Sequence, residues 1–188
     1  MNLIEVRFPY KNNNSKEIIY SDKLSLEIPK ESKTIILASE SNLLYELGLI
    51  LSGKAPPTEG KIADINQNES VYIIPEYAAF PWMTVKENLL SVNEKYDDKL
   101  VKEFGLEPYL ENNFDDESYG FRIKLALVMA LTADKKNIVL FNPFRYIKTS
   151  YFDILMDDLE KVKKYGLGII VLSSDVQKKL KFDNEYSL

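Results

Sequence analysis

Apolar and polar residues alternate along positions 2–33: LIEVRF, EIIYS and LSLEI each set apolar side chains on one face. The polar KNNNSK between the first two marks a turn. This pattern predicts antiparallel strands in a small sheet. Thr34–Leu37 reads as a short apolar strand, Ala38–Asn42 as a polar turn and Leu43–Leu51 as an apolar helix. The Pro-rich turn Ala55–Gly60 precedes short strands near Lys61–Ile65 and at Val71–Ile74. Thr84 with Glu87 forms a capping-box pair opening a helix at Val85–Leu90. Helical patches follow around Lys99–Phe104 and Pro108–Asn112. Gly120–Ala133 is apolar nearly all round, the signature of a helix buried on most sides. Asn137–Phe141 predicts a strand, Thr149–Tyr165 an amphipathic helix, Gly166–Gly168 a break, Ile169–Ser173 a strand and Asp175–Leu180 a last short helix.

Strands alternating with helices in both halves imply an α/β fold with a parallel core. The helical middle, about 80–133, is inserted between two strand-rich portions. At 188 residues the chain suits one domain, 1–188.

Composition removes several chemistries. With no cysteine, disulfides and thiolate metal sites are excluded; with no histidine, the usual neutral-pH base and commonest metal ligand are gone. No metal site is expected. The net charge of −5 and the short lysine runs set beside acids argue against nucleic acid as a partner. No apolar run approaches the ~20 residues of a membrane span. The N-terminal MNLIEVRFPY carries an acid and no signal-like apolar stretch, which predicts a cytoplasmic location.

Thr34–Ile62 has the strand, tight turn and helix layout of a phosphate-binding loop. Its turn has no glycine, and Leu43, Leu44 and Tyr45 stand where Gly, Lys and Ser or Thr are needed. A nearby stretch, Gly48 to Ala55, nearly fits G-x4-G-K-[ST]. It lies at the end of an apolar helix and runs into Pro56 and Pro57, the wrong context for a phosphate loop.

The order of segments resembles the ATP-binding subunits of ABC transporters over nearly the whole chain. LSGKAPPTEGKI (Leu51–Ile62) resembles "LAG…PPTSGEI". YAAFPWMTVKENLL (Tyr77–Leu90) resembles "ALFPWLTVLENV", as in importers of nitrate, sulfonate and thiamine precursors. ALVMALTADKKNIVLFNPF (Ala126–Phe144) resembles "ALARALAADPKILLLDEPF", and GIIVLSSD (Gly168–Asp175) resembles "TVLLVTHD". Phe8–Tyr10 resembles the end of the family's first strand, and Ser25–Lys30 resembles "VSLEIPKG". The resemblance implies a P-loop NTPase-like ABC ATPase fold: a mixed sheet core, an N-terminal antiparallel β-subdomain and a shortened inserted helical lobe.

The departures are specific. On this resemblance the Walker A loop falls on Ala38–Tyr45, with Leu44 at the lysine and Tyr45 at the magnesium-ligand position. Glu40 and Glu46 add negative charge there. The Q-loop position is Pro75, the Walker B acids are Phe141 and Asn142, and the switch histidine is Ser174. Each lost charge-assisted phosphate bond forfeits ~1.5–3 kcal/mol. Two contacts are kept. Ser118 and Gly120 match the signature residues that touch a phosphate held by a partner subunit, and Tyr10 matches the adenine-stacking aromatic. Phe80, Trp82 and Met83 match the permease-docking segment.

The resulting expectation is a non-catalytic, structural or regulatory ABC ATPase-like subunit of an importer. It would lie on the inner face of the membrane, docked to a permease subunit or paired with an active ATPase subunit, and the isolated chain would hold no ATP. Two alternatives stand beside it: a divergent ATP-binding, ATP-hydrolysing transporter subunit, and a freestanding binding module on the same scaffold.

Overall fold

The computed structural model describes residues 1–63, 69–113, 118–145, 147–175 and 180–188. Its elements in chain order are β1 (Asn2–Arg7), β2 (Pro9–Lys11), β3 (Ile18–Tyr20), β4 (Leu24–Glu27), β5 (Lys33–Leu37), α1 (Ser41–Leu51), β6 (Glu59–Ala63), β7 (Ser70–Ile73), α2 (Val85–Val92), α3 (Asp98–Glu103), α4 (Tyr119–Thr132), β8 (Asn137–Phe141), α5 (Phe152–Lys164), β9 (Gly168–Ser173) and β10 (Asn184–Ser187).

Five strands form a wholly parallel sheet in the order β10-β5-β9-β8-β7. A separate antiparallel sheet has the order β4-β1-β6, and β2 and β3 pair as a hairpin. The expected α/β fold with an antiparallel subdomain is therefore present, and its antiparallel strands form sheets of their own.

The period of two along each core strand divides the interior into two layers. Ile36, Tyr72, Val139, Ile170 and Leu172 face α1 and the antiparallel sheet, joining Leu3, Val6, Phe8, Leu44 and Leu47. Ile35, Leu37, Ile73, Ile138, Leu140, Ile169 and Val171 face the other way, onto α2–α5. Strands buried on both faces read as continuous apolar runs, as in NIVLF and GIIVLS.

The capping box at α2 is present: the Glu87 N–H donates to the Thr84 hydroxyl and the Thr84 N–H to the Glu87 carboxylate. The Pro108–Asn112 patch is a 3₁₀ turn at Glu107–Tyr109, and the start of the Thr149–Tyr165 helix is a 3₁₀ turn at Thr149–Tyr151. The final helix expected at Asp175–Leu180 falls mostly on positions 176–179, outside the described residues. Strand β10 was not expected. The polar NEYS pattern gives little strand signal, and its place follows from four parallel partners on β5, Thr34–Leu37. No described helix is long and apolar enough to cross a membrane.

Candidate functional site

The C-terminal ends of β5, β8 and β9 bring together the residues expected at a nucleotide site. Asn142, 3 % exposed, follows β8 in a left-handed conformation with φ 44°. Its amide Nδ2 donates to Ser41 Oγ at 3.1 Å, and its Oδ1 accepts from the Ser174 N–H at 2.8 Å and the Ser174 hydroxyl at 3.2 Å. Three chain segments distant in sequence are thus tied by one neutral side chain.

Beside this network, Tyr45 stands edge-on to Phe141 with ring centroids 5.7 Å apart, and both rings contact Tyr72. The Tyr72 hydroxyl donates to the Tyr45 carbonyl at 3.2 Å. Burial, with Tyr45 and Glu46 nearby, pushes the Tyr72 hydroxyl well above its ordinary range, so it stays protonated. Burial also raises the Glu46 carboxyl. Leu44 is fully buried in the layer beneath, whereas Leu43 is only partly so.

The turn before α1 is fastened from outside. Glu40 Oε2 accepts the Asn13 N–H at 3.0 Å, and Asn42 Nδ2 donates to the Lys11 carbonyl at 2.7 Å. Glu40 also stands near Tyr10 on β2. Burial first, then Glu40 and Asp22, raise the Tyr10 hydroxyl. Tyr10 therefore lies by the turn.

This corner does not fit a magnesium–phosphate group through the usual residues. The lysine position is the buried Leu44, the magnesium-ligand position is the Tyr45 ring packed on Phe141, and the carboxamide of Asn142 is already bonded at both ends. Pro75 is buried at the start of a 3₁₀ turn and offers no N–H.

The near-match Gly48–Ala55 is also explained. Gly48 lies inside α1 against Tyr72, and Gly53, with φ 73°, ends the helix. The Gly53 N–H donates to Ile50 O at 3.0 Å and the Lys54 N–H to Leu49 O at 2.8 Å, a Schellman C-cap and no phosphate loop.

Ser118 and Gly120 sit at the start of α4. The Ser118 hydroxyl caps the helix by accepting the Phe121 N–H at 3.4 Å. Both residues line a cleft against Tyr151 and Ile147.

The third group lies in the loop before α2. The Phe80 and Trp82 rings stand 5.4 Å apart on the wall of a cleft of about 680 Å³ that also takes in Tyr77, Val92 and Met129. Trp82 is 71 % exposed. Met83 serves the turn through its backbone: its N–H donates to Phe80 O and its carbonyl accepts from Asn88. Sequence reading passed over Asn88, which organises this loop. It is fully buried, accepts the Phe80 N–H at 2.7 Å, and donates to the carbonyls of Phe80 at 3.1 Å and Thr84 at 3.0 Å. Its position in an amphipathic helix gave no signal; Ser41, read as part of a polar turn, and Tyr72, in a buried strand, gave none either.

The parallel sheet with its antiparallel partner and helical lobe is the fold of an ABC ATPase cassette. The chain superposes on cbiO1 from Clostridium perfringens, part of the ABC transporter complex cbiONQ. The TM-score is 0.75 at 18 % identity, covering 93 % of this chain and 78 % of the other. It also superposes on the MJ0796 cassette in a post-hydrolysis state bound to ADP and Pi, with a TM-score of 0.69 at 20 % identity, covering 93 % and 88 %. No family model matches the chain.

In sequence it is 24 % identical to the spermidine/putrescine import ATP-binding protein PotA of Mesoplasma florum, over 95 % of this chain and 56 % of the relative. It is 27 % identical to the molybdate/tungstate import ATP-binding protein WtpC of Pyrococcus abyssi, over 79 % and 48 %. The chain thus spans about half the length of these relatives. These comparisons support a relationship to the ATP-binding subunits of ABC transporters, and they leave the nitrate, sulfonate or thiamine-precursor subtype as a likeness of one segment.

They also correct one expectation. The sequence reading held the chain to be no enzyme, on the replaced motif residues alone. The relatives are named as ATP-binding import proteins, and a cassette of the same fold holds hydrolysis products. Substitution at motif positions does not establish inactivity against that background.

Proposed function

We propose that the chain is a divergent ATP-binding-cassette subunit of a membrane importer. It docks to a permease through the Phe80–Trp82 cleft, on the inner face of the membrane, and engages nucleotide as part of the assembled transporter. The observation that carries this reading is the joint presence of the cassette fold and an exposed aromatic cleft on its helical lobe. The cleft is braced from beneath by Asn88, which gives the loop a fixed shape for a partner to fit.

Within that assembly, the contacts available to nucleotide from this chain are the Ser118–Gly120 start of α4 and the Tyr10 ring. The first faces a phosphate held by a second cassette, and the second faces a base. A helix N-terminus favours a phosphate through its free N–H groups. Nucleotide engagement therefore belongs to the complex, and the isolated chain binds ATP weakly.

The test is co-expression with permease and cassette subunits from the same genome, followed by affinity purification. A stable complex whose ATPase activity falls on Ser118→Ala is expected, as is loss of permease on Trp82→Ala. Failure to retain any permease removes the transporter reading. Unchanged ATPase activity in Ser118→Ala removes the signature contact.

A further inference from the structure

A second cleft lies between α4 and α5, away from the Asn142 network. It encloses about 270 Å³, and its lining includes Tyr109, Phe121, Lys124, Tyr151, Ile154 and Asp158. A shallower extension of about 210 Å³ shares Ser118, Gly120, Ile147 and Tyr151 with it and carries Lys148 at its rim.

The floor holds a buried ionic group. The Asp158 side chain is 3 % exposed, and its Oδ1 is bonded to Lys161 Nζ at 2.8 Å. Lys124 Nζ reaches Asp158 Oδ2 only at 3.5 Å, beyond the 2.7–2.9 Å range of a strong charge-assisted bond. Lys161 thus neutralises the acid, and Lys124 remains as one surplus positive charge at the cleft floor. Lys124 is partly buried, its side chain 23 % exposed, and a loosely paired cation so placed gains from an anion more than a fully exposed one does, since water screens it less.

The walls are flat and apolar. Tyr109 and Phe121 stand with ring centroids 5.0 Å apart, and Tyr151 and Ile154 are half exposed at the opening. The size lies just under the range of small-ligand pockets, so the occupant is a single ring with a short substituent. One surplus positive charge matches one negative charge.

We infer that this cleft binds a small aromatic carboxylate, its carboxylate on Lys124 and its ring between Tyr109, Phe121 and Tyr151. The inference rests on the cleft's own charge and shape, and the cleft shares Ser118 and Gly120 with the nucleotide contact proposed above. Because α4 begins at Ser118 and α5 carries Asp158, an occupant here would touch both helices and set their spacing.

The experiment uses the full chain and benzoate as probe, with benzamide as the uncharged control, followed by isothermal calorimetry and ligand-observed NMR. Benzoate is expected to bind at least tenfold more tightly than benzamide. Lys124→Met is expected to weaken benzoate tenfold or more while leaving benzamide unchanged. Tyr151→Ala, at a half-exposed position, is expected to weaken both. Equal binding of the two probes, or no benzoate binding at 10 mM, which is about 2.7 kcal/mol of affinity, overturns the inference. So does benzoate binding undiminished in either variant. A circular-dichroism melt of each variant separates lost binding from lost folding. Mg-ATP added to the benzoate complex keeps the two readings distinct, since loss of nucleotide binding leaves the benzoate result intact.

Discussion

Asn142 accepts both the backbone N–H and the hydroxyl of Ser174 on a single amide oxygen, at 2.8 and 3.2 Å. Its nitrogen meanwhile holds Ser41 at 3.1 Å. The end of β8 is thereby fixed to the end of β9 and to the first turn of α1. The amide meets the Ser41 hydroxyl as a donor and Ser174 as an acceptor, using both ends of one neutral side chain.

The bridge has a backbone cost, since Asn142 is left-handed at φ 44°. Replacing it by Gly removes the side-chain bonds but keeps the conformation accessible. Each net bond contributes about 1 kcal/mol, so Asn142→Gly should lose about 2–3 kcal/mol. Asn142→Ala should lose about 1–2 kcal/mol more, from the left-handed backbone. Chemical denaturation of the two variants checks this. Equal stabilities would show that the backbone carries no strain.

Gly48 illustrates a packing glycine in a motif-like context. A Cβ there would lie 2.3 Å from the Tyr72 ring. Helix propensity alone would make Gly48→Ala stabilising by ~1 kcal/mol. Overpacking should outweigh it and leave a net loss of about 1–2 kcal/mol. In a Tyr72→Leu background the same change should cost less, because the ring edge is gone. A stabilised single variant would refute the contact.

Asn88 shapes the Phe80–Trp82 loop from underneath. Truncation to Ala strands the Phe80 N–H and leaves three carbonyls without its amide, a loss of about 2–4 kcal/mol. The loop should loosen before the core does. Trp82 is the sole tryptophan, so its fluorescence reports this directly. A red-shifted, more quenchable emission in Asn88→Ala at temperatures where helical circular dichroism is intact is the expected result. Unchanged emission would mean that the loop holds its shape without Asn88.

Much of this was legible in sequence wherever burial is two-sided or chemistry is local. The strands NIVLF and GIIVLS and the Thr84–Glu87 capping box follow from period and spacing alone. Tyr45, Phe141, Asn142 and Ser174 were placed at one site by resemblance, and the fold does bring them together. What escaped is what tertiary contact decides. Ser41 looks like an ordinary turn residue and Asn88 like an ordinary helix-surface one until the folded loop and the end of β8 bring their partners to them. Strand β10 has no apolar pattern because it sits at the sheet edge. Lys124 and Asp158 are on different helices, and nothing in their spacing announces that they meet.

The attachment of β10 depends on a charge cluster, which predicts how stability varies with pH. Lys33 Nζ lies 2.6 Å from Glu160, and Asp183 accepts the Lys33 N–H and Lys163 Nζ, each at 2.8 Å. The bond from Lys33 holds the Glu160 carboxyl below its ordinary value. The bonds from Lys163 and the Lys33 backbone do the same for Asp183. The bond to Asp183 raises Lys163. For the two acids the folded value is the lower one, so their contribution is complete above the ordinary carboxylate range near pH 4. It is lost as pH falls through the depressed values. For Lys163 the folded value is the higher one. Its contribution is complete below the ordinary lysine range near pH 10.4 and is lost as pH rises above it. Asp183→Asn should therefore flatten the acid limb of the melting temperature against pH and remove most of the alkaline limb due to Lys163, with little change in slope between pH 6 and 8. Because the two acids are partly exposed, 0.5 M salt should shrink the wild-type acid limb toward that of the variant. An acid limb identical in wild type and variant would show that β10 is held by its hydrogen bonds to β5 alone.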